Sequence, residues 1–319
     1  MRRLAAIAAL VALLPAASAA QDWPTRPIRA IIPFGAGSAT DLVPRIVFDQ
    51  LSPQLGQPIV VENRTGAGGT LGSNAVAKAD PDGYTLLAHS NALSVSPAIY
   101  ANLPYDTEKD FAPVAPFGSL PAVLIIAPSK GHKTIQEMVA AAKARPGSFN
   151  FASVGVGSGT HLSAEKFKLA AGFEATHVPF RGGPEALTEV ITGRVEFYFC
   201  PINTALPYIR EGKLVALVTN GATRAPELPD VPTTLEAGYR NAEFPIWIGM
   251  LAPARTPAAV VDKLNAETIK AVKTPSTLER LAKAGIAPLT WTPAEFAARI
   301  RAEIADNMAV AKAAGIKPN

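Results

Sequence analysis

The 319-residue chain has 30 basic and 26 acidic side chains and one cysteine, and 48% of its residues are hydrophobic. A chain of this length buries on the order of three-quarters of its unfolded surface without disulfides, and it predicts two domains. Its formal charge of +4 leaves 28 basic against 26 acidic residues once Arg2 and Arg3 are set aside; with no Lys/Arg cluster interleaved with aromatics, nucleic acid is excluded as an expected partner.

Arg2 and Arg3 precede an apolar run from Leu4 to Leu14, followed by Pro15 and the small residues Ala17, Ser18, Ala19 and Ala20. Residues 1–20 therefore read as a secretory signal peptide cleaved after Ala19 or Ala20. The run is too short to span a bilayer, and no later stretch approaches the roughly 20 apolar residues that a spanning helix needs. A soluble, exported mature chain is expected. Cys200 lies far from the leader, so neither a lipid-bearing cysteine at the cleavage site nor an internal disulfide is expected.

The apolar strand Ile28–Pro33 runs into Phe34-Gly35-Ala36-Gly37-Ser38-Ala39-Thr40-Asp41. Small side chains that let a ligand reach the backbone, followed by the free N–H groups of a helix N-terminus, make an anion cradle without lysine or arginine. A helix start near Asp41 places Pro44 among the first four positions, which have no intrahelical N–H partner to lose. Strand Ile59–Glu62, a helix near Leu71–Lys78 and strand Tyr84–Ala88 follow. This alternation predicts a mostly parallel sheet covered by helices.

After the Pro-rich stretch Ala112–Pro121 the pattern resumes with strand Ala122–Ala127, helix Ile135–Ala144, strand Ser148–Ser153, helix His161–Ala170, strand Ala175–Val178, helix Pro184–Thr192, strand Glu196–Phe199 and strand Val215–Thr219. Phe244–Ala252 reads as one more strand, and helices follow near Ala258–Val272, Thr277–Ala284 and Pro293–Ala314. The last carries Phe296, Ile300, Ile304 and Met308 as an apolar stripe. The expected architecture is α/β with two lobes, residues 21–123 plus 245–319 and residues 124–244, joined by two chain crossings at a hinge that closes a cleft.

Two glycine-rich loops invite a cofactor reading. Gly66-Ala67-Gly68-Gly69-Thr70-Leu71-Gly72 lacks the G-x-G-x-x-G spacing, and the next strand ends in Ala88-His89-Ser90 without the acidic residue a dinucleotide ribose needs. No cofactor is expected. The loop Ser153-Val154-Gly155-Val156-Gly157-Ser158-Gly159-Thr160-His161 mirrors the first cradle, so the two can grip one small acid from both sides. The bland alternative is a flexible connection with Thr160 as an N-cap. Ser158 has no G-x-S-x-G elbow, and the four histidines are dispersed. His161 and Glu165 share a helical face, yet two ligands do not make a zinc site, and no metal is expected.

Taken together, these residues resemble the substrate-binding proteins of tripartite tricarboxylate transporters, also called Bug proteins, over essentially the whole mature chain. The matching motifs are Pro33-Phe34 through Asp41, Val60-Val61-Glu62-Asn63-Arg64, Gly66-Ala67-Gly68-Gly69, Pro81-Asp82-Gly83-Tyr84-Thr85, the loop from Ser153 to Leu162, and Val178-Pro179-Phe180-Arg181-Gly182-Gly183. Leu228-Pro229-Asp230-Val231-Pro232-Thr233, Trp247-Ile248-Gly249 and Ala314-Gly315-Ile316-Lys317-Pro318 complete them. The resemblance implies a monomeric periplasmic binding protein of type II-like fold. It would capture a mono-, di- or tricarboxylate or an aromatic acid for delivery to an integral membrane permease, and it would not be an enzyme.

Carried over residue by residue, the implied ligand-binding set is Phe34, Ala36, Gly37, Ser38, Thr40, Asp41, Ser90 and Asn91 on the first lobe. The second lobe contributes Val156, Gly157, Ser158, Phe180, Arg181, Gly182, Gly183 and Cys200. Three positions depart from the usual pattern: Ser38 replaces a second glycine, Arg181 a lysine, and Cys200 an aspartate beside the site, which disfavours amine-bearing ligands. Arg181 can fork a carboxylate if it faces the cleft, and Phe34 and Phe180 can stack an aromatic ring. Two alternatives stand beside this reading. One is an exported hydrolase using Ser158 or Cys200 with His161 or His177; the other is a ligand sensor docking on a membrane signalling partner.

Overall fold

The structure is a computed structural model that describes residues 23–316 and 318; the expected signal peptide lies outside the described residues. Among the described residues, eleven strands form two sheets, each flanked by helices. The first sheet contains β1 (Ile28–Ile32), β2 (Ile59–Asn63), β3 (Thr85–Ser90), β4 (Phe111–Leu120), β10 (Ile246–Pro253) and β11 (Ala287–Pro288), ordered β11-β4-β10-β3-β1-β2. The second contains β5 (Ala122–Ile126), β6 (Asn150–Ser153), β7 (Thr176–Pro179), β8 (Phe197–Pro201) and β9 (Val215–Thr219), ordered β7-β6-β8-β5-β9.

Both sheets are mixed rather than mostly parallel. β1 pairs in parallel with β2 and β3, and β6 with β7 and β8. The strand that arrives from the other sheet, β10 in one case and β5 in the other, inserts antiparallel to its neighbours. The chain enters by a crossing rather than through a helical crossover, so the right-handed parallel connection is not imposed on it.

The Pro-rich stretch Ala112–Pro121, given no strand or helix from sequence, is most of β4. Pro113 and Pro116 lie opposite Leu251 and Gly249, and the register with β10 shifts twice near these positions. Such irregularities accommodate residues that have no N–H to give to the ladder.

The described residues also form ten α-helices: α1 (Ala39–Leu55), α2 (Thr70–Ala77), α3 (Ala92–Ile99), α4 (Ile135–Ala144), α5 (Gly159–Ala171), α6 (Gly183–Ile191), α7 (Ile202–Arg210), α8 (Ala258–Lys273), α9 (Pro275–Lys283) and α10 (Pro293–Ala313). α1 starts two residues earlier than expected, so Pro44 falls in its second turn and leaves the Thr40 carbonyl without its helical partner. In α10, Phe296, Ile300 and Ile304 are buried but Met308 is 54% exposed. Four-residue spacing drifts by about 40° per step around a helix of 3.6 residues per turn, so Asn307, Val310 and Ala311 take over the buried face. None of the described helices is long and apolar enough to cross a membrane.

Asn220 ties the two crossings together. Its side-chain oxygen accepts from Ala122 N–H at 2.7 Å, and its amide donates to the Phe244 carbonyl at 2.9 Å and to Ser163 Oγ at 3.0 Å. Its backbone also bonds to Ala122 and Phe244. One buried amide thus joins the start of β5, the approach to β10 and the side of α5.

Candidate functional site

Because β1, β3, β6, β7 and β8 are each followed by a helix, their C-terminal ends present helix N-termini to the space between the sheets. At the end of β1 the chain turns through Gly37, whose φ of 80° suits a residue without Cβ. Ser38 then starts α1, but its hydroxyl caps nothing, and Ser38 Oγ is buried without a partner. The turn is braced from behind by Asp41, whose carboxylate accepts from Gly37 N–H at 2.9 Å, Arg45 Nε at 2.9 Å and Asn63 Nδ2 at 2.8 Å. Burial opposes ionisation of Asp41, but the donors of Asn63, Gly37 and Arg45 outweigh it, and the carboxyl lies below its usual range. At the end of β3, Asn91 begins α3; its amide reaches Pro245 O at 3.5 Å and its oxygen has no partner.

The second lobe's cradle is braced differently. Ser158 Oγ accepts from His161 N–H at 3.2 Å and donates to the Gly155 carbonyl at 2.7 Å. Its one proton is therefore committed, and the Thr160 hydroxyl, 3.0 Å away, donates to it while accepting from Val154 N–H. His161 Nδ1 accepts from Gly157 N–H at 3.3 Å, and its ring stacks on His177 with centroids 3.9 Å apart. Burial lowers these histidines, His161 to about 3 and His177 to about 4, so both are neutral at pH 7.

This arrangement does not support a hydrolase. Ser158 meets His161 through the backbone rather than the ring. Cys200 is fully buried opposite Val123, and burial pushes its thiol far above the usual range, the reverse of an activated nucleophile. Ser153 Oγ lies 2.6 Å from His177 Nε2, but neither residue reaches the cavity wall. Among the described residues no cluster of three or more His, Cys, Asp or Glu is arranged to hold a metal.

A cavity of about 300 Å³ lies where the strand ends meet. The N-termini of α1, α3, α5, α6 and α7 all contribute to its wall, through Ser38, Asn91, Ser158, Gly182 and Pro201 at their N-caps. Arg181 is the one charged side chain among the described residues of the wall; its backbone N–H is fixed by Glu185 Oε2 at 3.1 Å. Most of the remaining surface is apolar, including Phe34, Val154, Pro184 and Ile246.

Of the expected residues, Phe34, Ala36, Gly37, Ser38, Thr40, Ser90, Asn91, Ser158, Arg181, Gly182 and Gly183 line this cavity. The other five lie outside its wall. Asp41 stands behind the first cradle. Val156 and Gly157 form a rim against the first lobe, where a Cβ on Gly157 would approach Ile99 to 3.3 Å. Phe180 packs half-buried against the core, and Cys200 lies beneath the wall.

Sequence reading missed Tyr198, Pro201, Thr204 and Ile246, which also line it. Tyr198 had a usable signal: a phenol in the apolar run Phe197–Cys200 at the end of a strand has to place its hydroxyl somewhere.

Strand order and a cleft ringed by helix N-termini define a two-lobed α/β binding protein of the periplasmic type. The chain belongs to the family described as tripartite tricarboxylate transporter family receptor, whose model matches residues 43–316. It is 34% identical over 320 residues to protein BugT of Bordetella pertussis, covering 99% of this chain and 98% of that one. Among solved structures it is similar to R. palustris Rpa4515 with adipate, at 32% identity and a TM-score of 0.87, covering 93% of this chain and 100% of that chain. It is also similar to MatC (Rpa3494) from Rhodopseudomonas palustris with bound malate, at 33% identity and a TM-score of 0.83, covering 90% and 99%. A chain of this family captures a solute.

Proposed function

We propose that this receptor binds a small organic carboxylate in the cleft, in the periplasm, as a monomer without enzymatic activity, and delivers it to a tripartite tricarboxylate-type permease. The convergence of five helix N-termini on a cavity with one arginine and no Asp or Glu in its wall carries this reading. Helix N-termini attract an anion through free N–H groups and the macrodipole, and Arg181 adds a full charge. An ammonium group would find no counter-ion there, which disfavours amino acids. The adipate and malate of the two solved relatives agree with a carboxylate.

The ligand-facing set is proposed as the eleven expected residues that line the cavity. Asp41, Val156, Gly157 and Phe180 shape their loops, and Cys200 acts only by leaving the wall uncharged. The lobe boundaries expected near residues 123 and 245 are proposed to lie where the chain passes from β4 to β5 at Pro121 and where it enters β10. The leader directs export and is removed near Ala19 or Ala20.

A thermal-shift screen of mono-, di-, tri- and aromatic carboxylates tests the proposal. A ligand at about 100 times its Kd stabilises by roughly 2.7 kcal/mol, a shift of several degrees, while amino acids give none. The absence of a shift with every carboxylate would overturn it.

A further inference from the structure

We propose that Tyr198 is a specificity-determining residue, whose phenolic O–H makes the cleft prefer a hydroxy-carboxylate over the same acid without the hydroxyl. The inference rests on the carboxylate reading and adds the part of the ligand that the helix N-termini do not address.

Tyr198 lies on β8, lines the cavity and is fully buried. Its hydroxyl lies near the Thr160 hydroxyl and the Cys200 thiol, with no well-formed hydrogen bond to either. The Thr160 proton is given to Ser158 while its oxygen accepts from Val154 N–H, so it has no proton for the phenol oxygen, and a thiol is a poor acceptor. Asn91 Oδ1, 1% exposed as a residue, is likewise without a partner, its amide nitrogen being directed at Pro245 O. The two orphans flank the first residues of α5: a Cβ on Gly159 would stand 2.9 Å from Asn91 Oδ1, and Thr160 is the neighbour of Tyr198.

Buried polar groups in folded proteins nearly always have partners, and such exceptions in a binding cavity mark what the ligand must supply. The phenol offers a donor and the amide oxygen an acceptor. A ligand hydroxyl serves both, accepting from Tyr198 and donating to Asn91. A methylene serves neither, and an ammonium cannot accept. A site built to pair with a hydroxyl rejects the analogue lacking it much more strongly than an apolar pocket discriminates by size.

Isothermal titration with two matched pairs, malate against succinate and 4-hydroxybenzoate against benzoate, tests this. The wild type is expected to bind the hydroxylated member of at least one pair about tenfold more tightly or better. Tyr198→Phe keeps the ring and removes only the hydroxyl; it brings that preference to within about twofold, and saturable binding of the unhydroxylated member reports an intact cleft. Asn91→Ala lowers the same ratio. Equal affinities within both pairs in the wild type, or a preference that survives Tyr198→Phe, would overturn the assignment. Failure of all four acids, and of every other carboxylate, to bind the wild type is a different result and removes the carboxylate reading itself.

Discussion

Asp41 does more for the first cradle than a wall residue would. Three donors, the Gly37 N–H, Arg45 and Asn63, converge on its carboxylate, and Asn63 also holds the Phe34 carbonyl at 2.9 Å. Replacing it with asparagine removes the charge-assisted part of these bonds. Because Arg45 is 43% exposed, its share is screened, and the expected cost is about 1–2 kcal/mol, with weaker ligand binding as the turn loosens. The sign with pH follows from the lowered carboxyl: the stabilisation is full above the ordinary value of 3.8 and is lost as pH falls through the lower folded-state value. Urea unfolding of wild type and Asp41→Asn should therefore show a constant gap between pH 5 and 8 that closes below about pH 3.8; a gap that widens on acidification would contradict the brace. At this scale the sequence was partly legible. Strand, small residues and Ser-Ala-Thr-Asp mark the cradle locally, but whether Asp41 faces a ligand or the Asn63 strand depends on β2 lying beside β1.

The connecting elements depend on single polar residues in the same way. Asn220 supplies both donors and an acceptor where β5 and β10 change sheets. Asn220→Ala leaves Ala122 N–H and the Phe244 carbonyl without side-chain partners, an expected loss of about 3 kcal/mol. The same change should raise hydrogen exchange in both crossing segments while sparing α4, and uniform protection would argue against a hinge tie. On the opposite side, Glu303 of α10 accepts from Trp247 Nε1 at 2.7 Å, Ser94 Oγ at 2.9 Å and Arg299 Nε at 2.7 Å, joining α10 to β10 and α3. Glu303→Ala should destabilise by about 3 kcal/mol, measured as a lower midpoint in chemical unfolding. Elements that sequence reading missed share one cause. β4 holds Pro113 and Pro116, α3 holds Pro97 and α7 holds Pro207, and proline reads locally as a breaker even where register shifts and tertiary packing absorb the lost hydrogen bond.

At the scale of the whole molecule, interlobe contact and acid sensitivity arise from groups far apart in sequence. The lobes meet at Gly157 against Ile99 and through the Lys166–Asp306 ion pair at 2.6 Å between α5 and α10. His89 and His161 are buried and His177 is half-buried, and desolvation lowers them to about 4, 3 and 4 from an ordinary 6.5, so all three are neutral at pH 7. The unfolded chain takes up protons at these positions below pH 6.5 while the folded chain does not, so stability falls as pH drops from about 6.5 to 4 and is insensitive to them above 7. Thermal melts across pH 4–9 should show that slope. Replacing His177 with phenylalanine should reduce it, and a wild-type melting temperature that rises on acidification through this window would refute the assignment.

By itself the sequence determined the alternation of strands and helices, the two small-residue loops that open helices, and the family, because apolar periodicity, small-residue turns and ordered motifs are local signals. Only the tertiary structure decided the mixed sheets, the burial of Cys200 and the placing of Tyr198 in the wall. Those outcomes depend on which strand inserts beside which and on what lies opposite a side chain across the cleft, relations between residues as distant as Asn91 and Gly159 that no local pattern encodes.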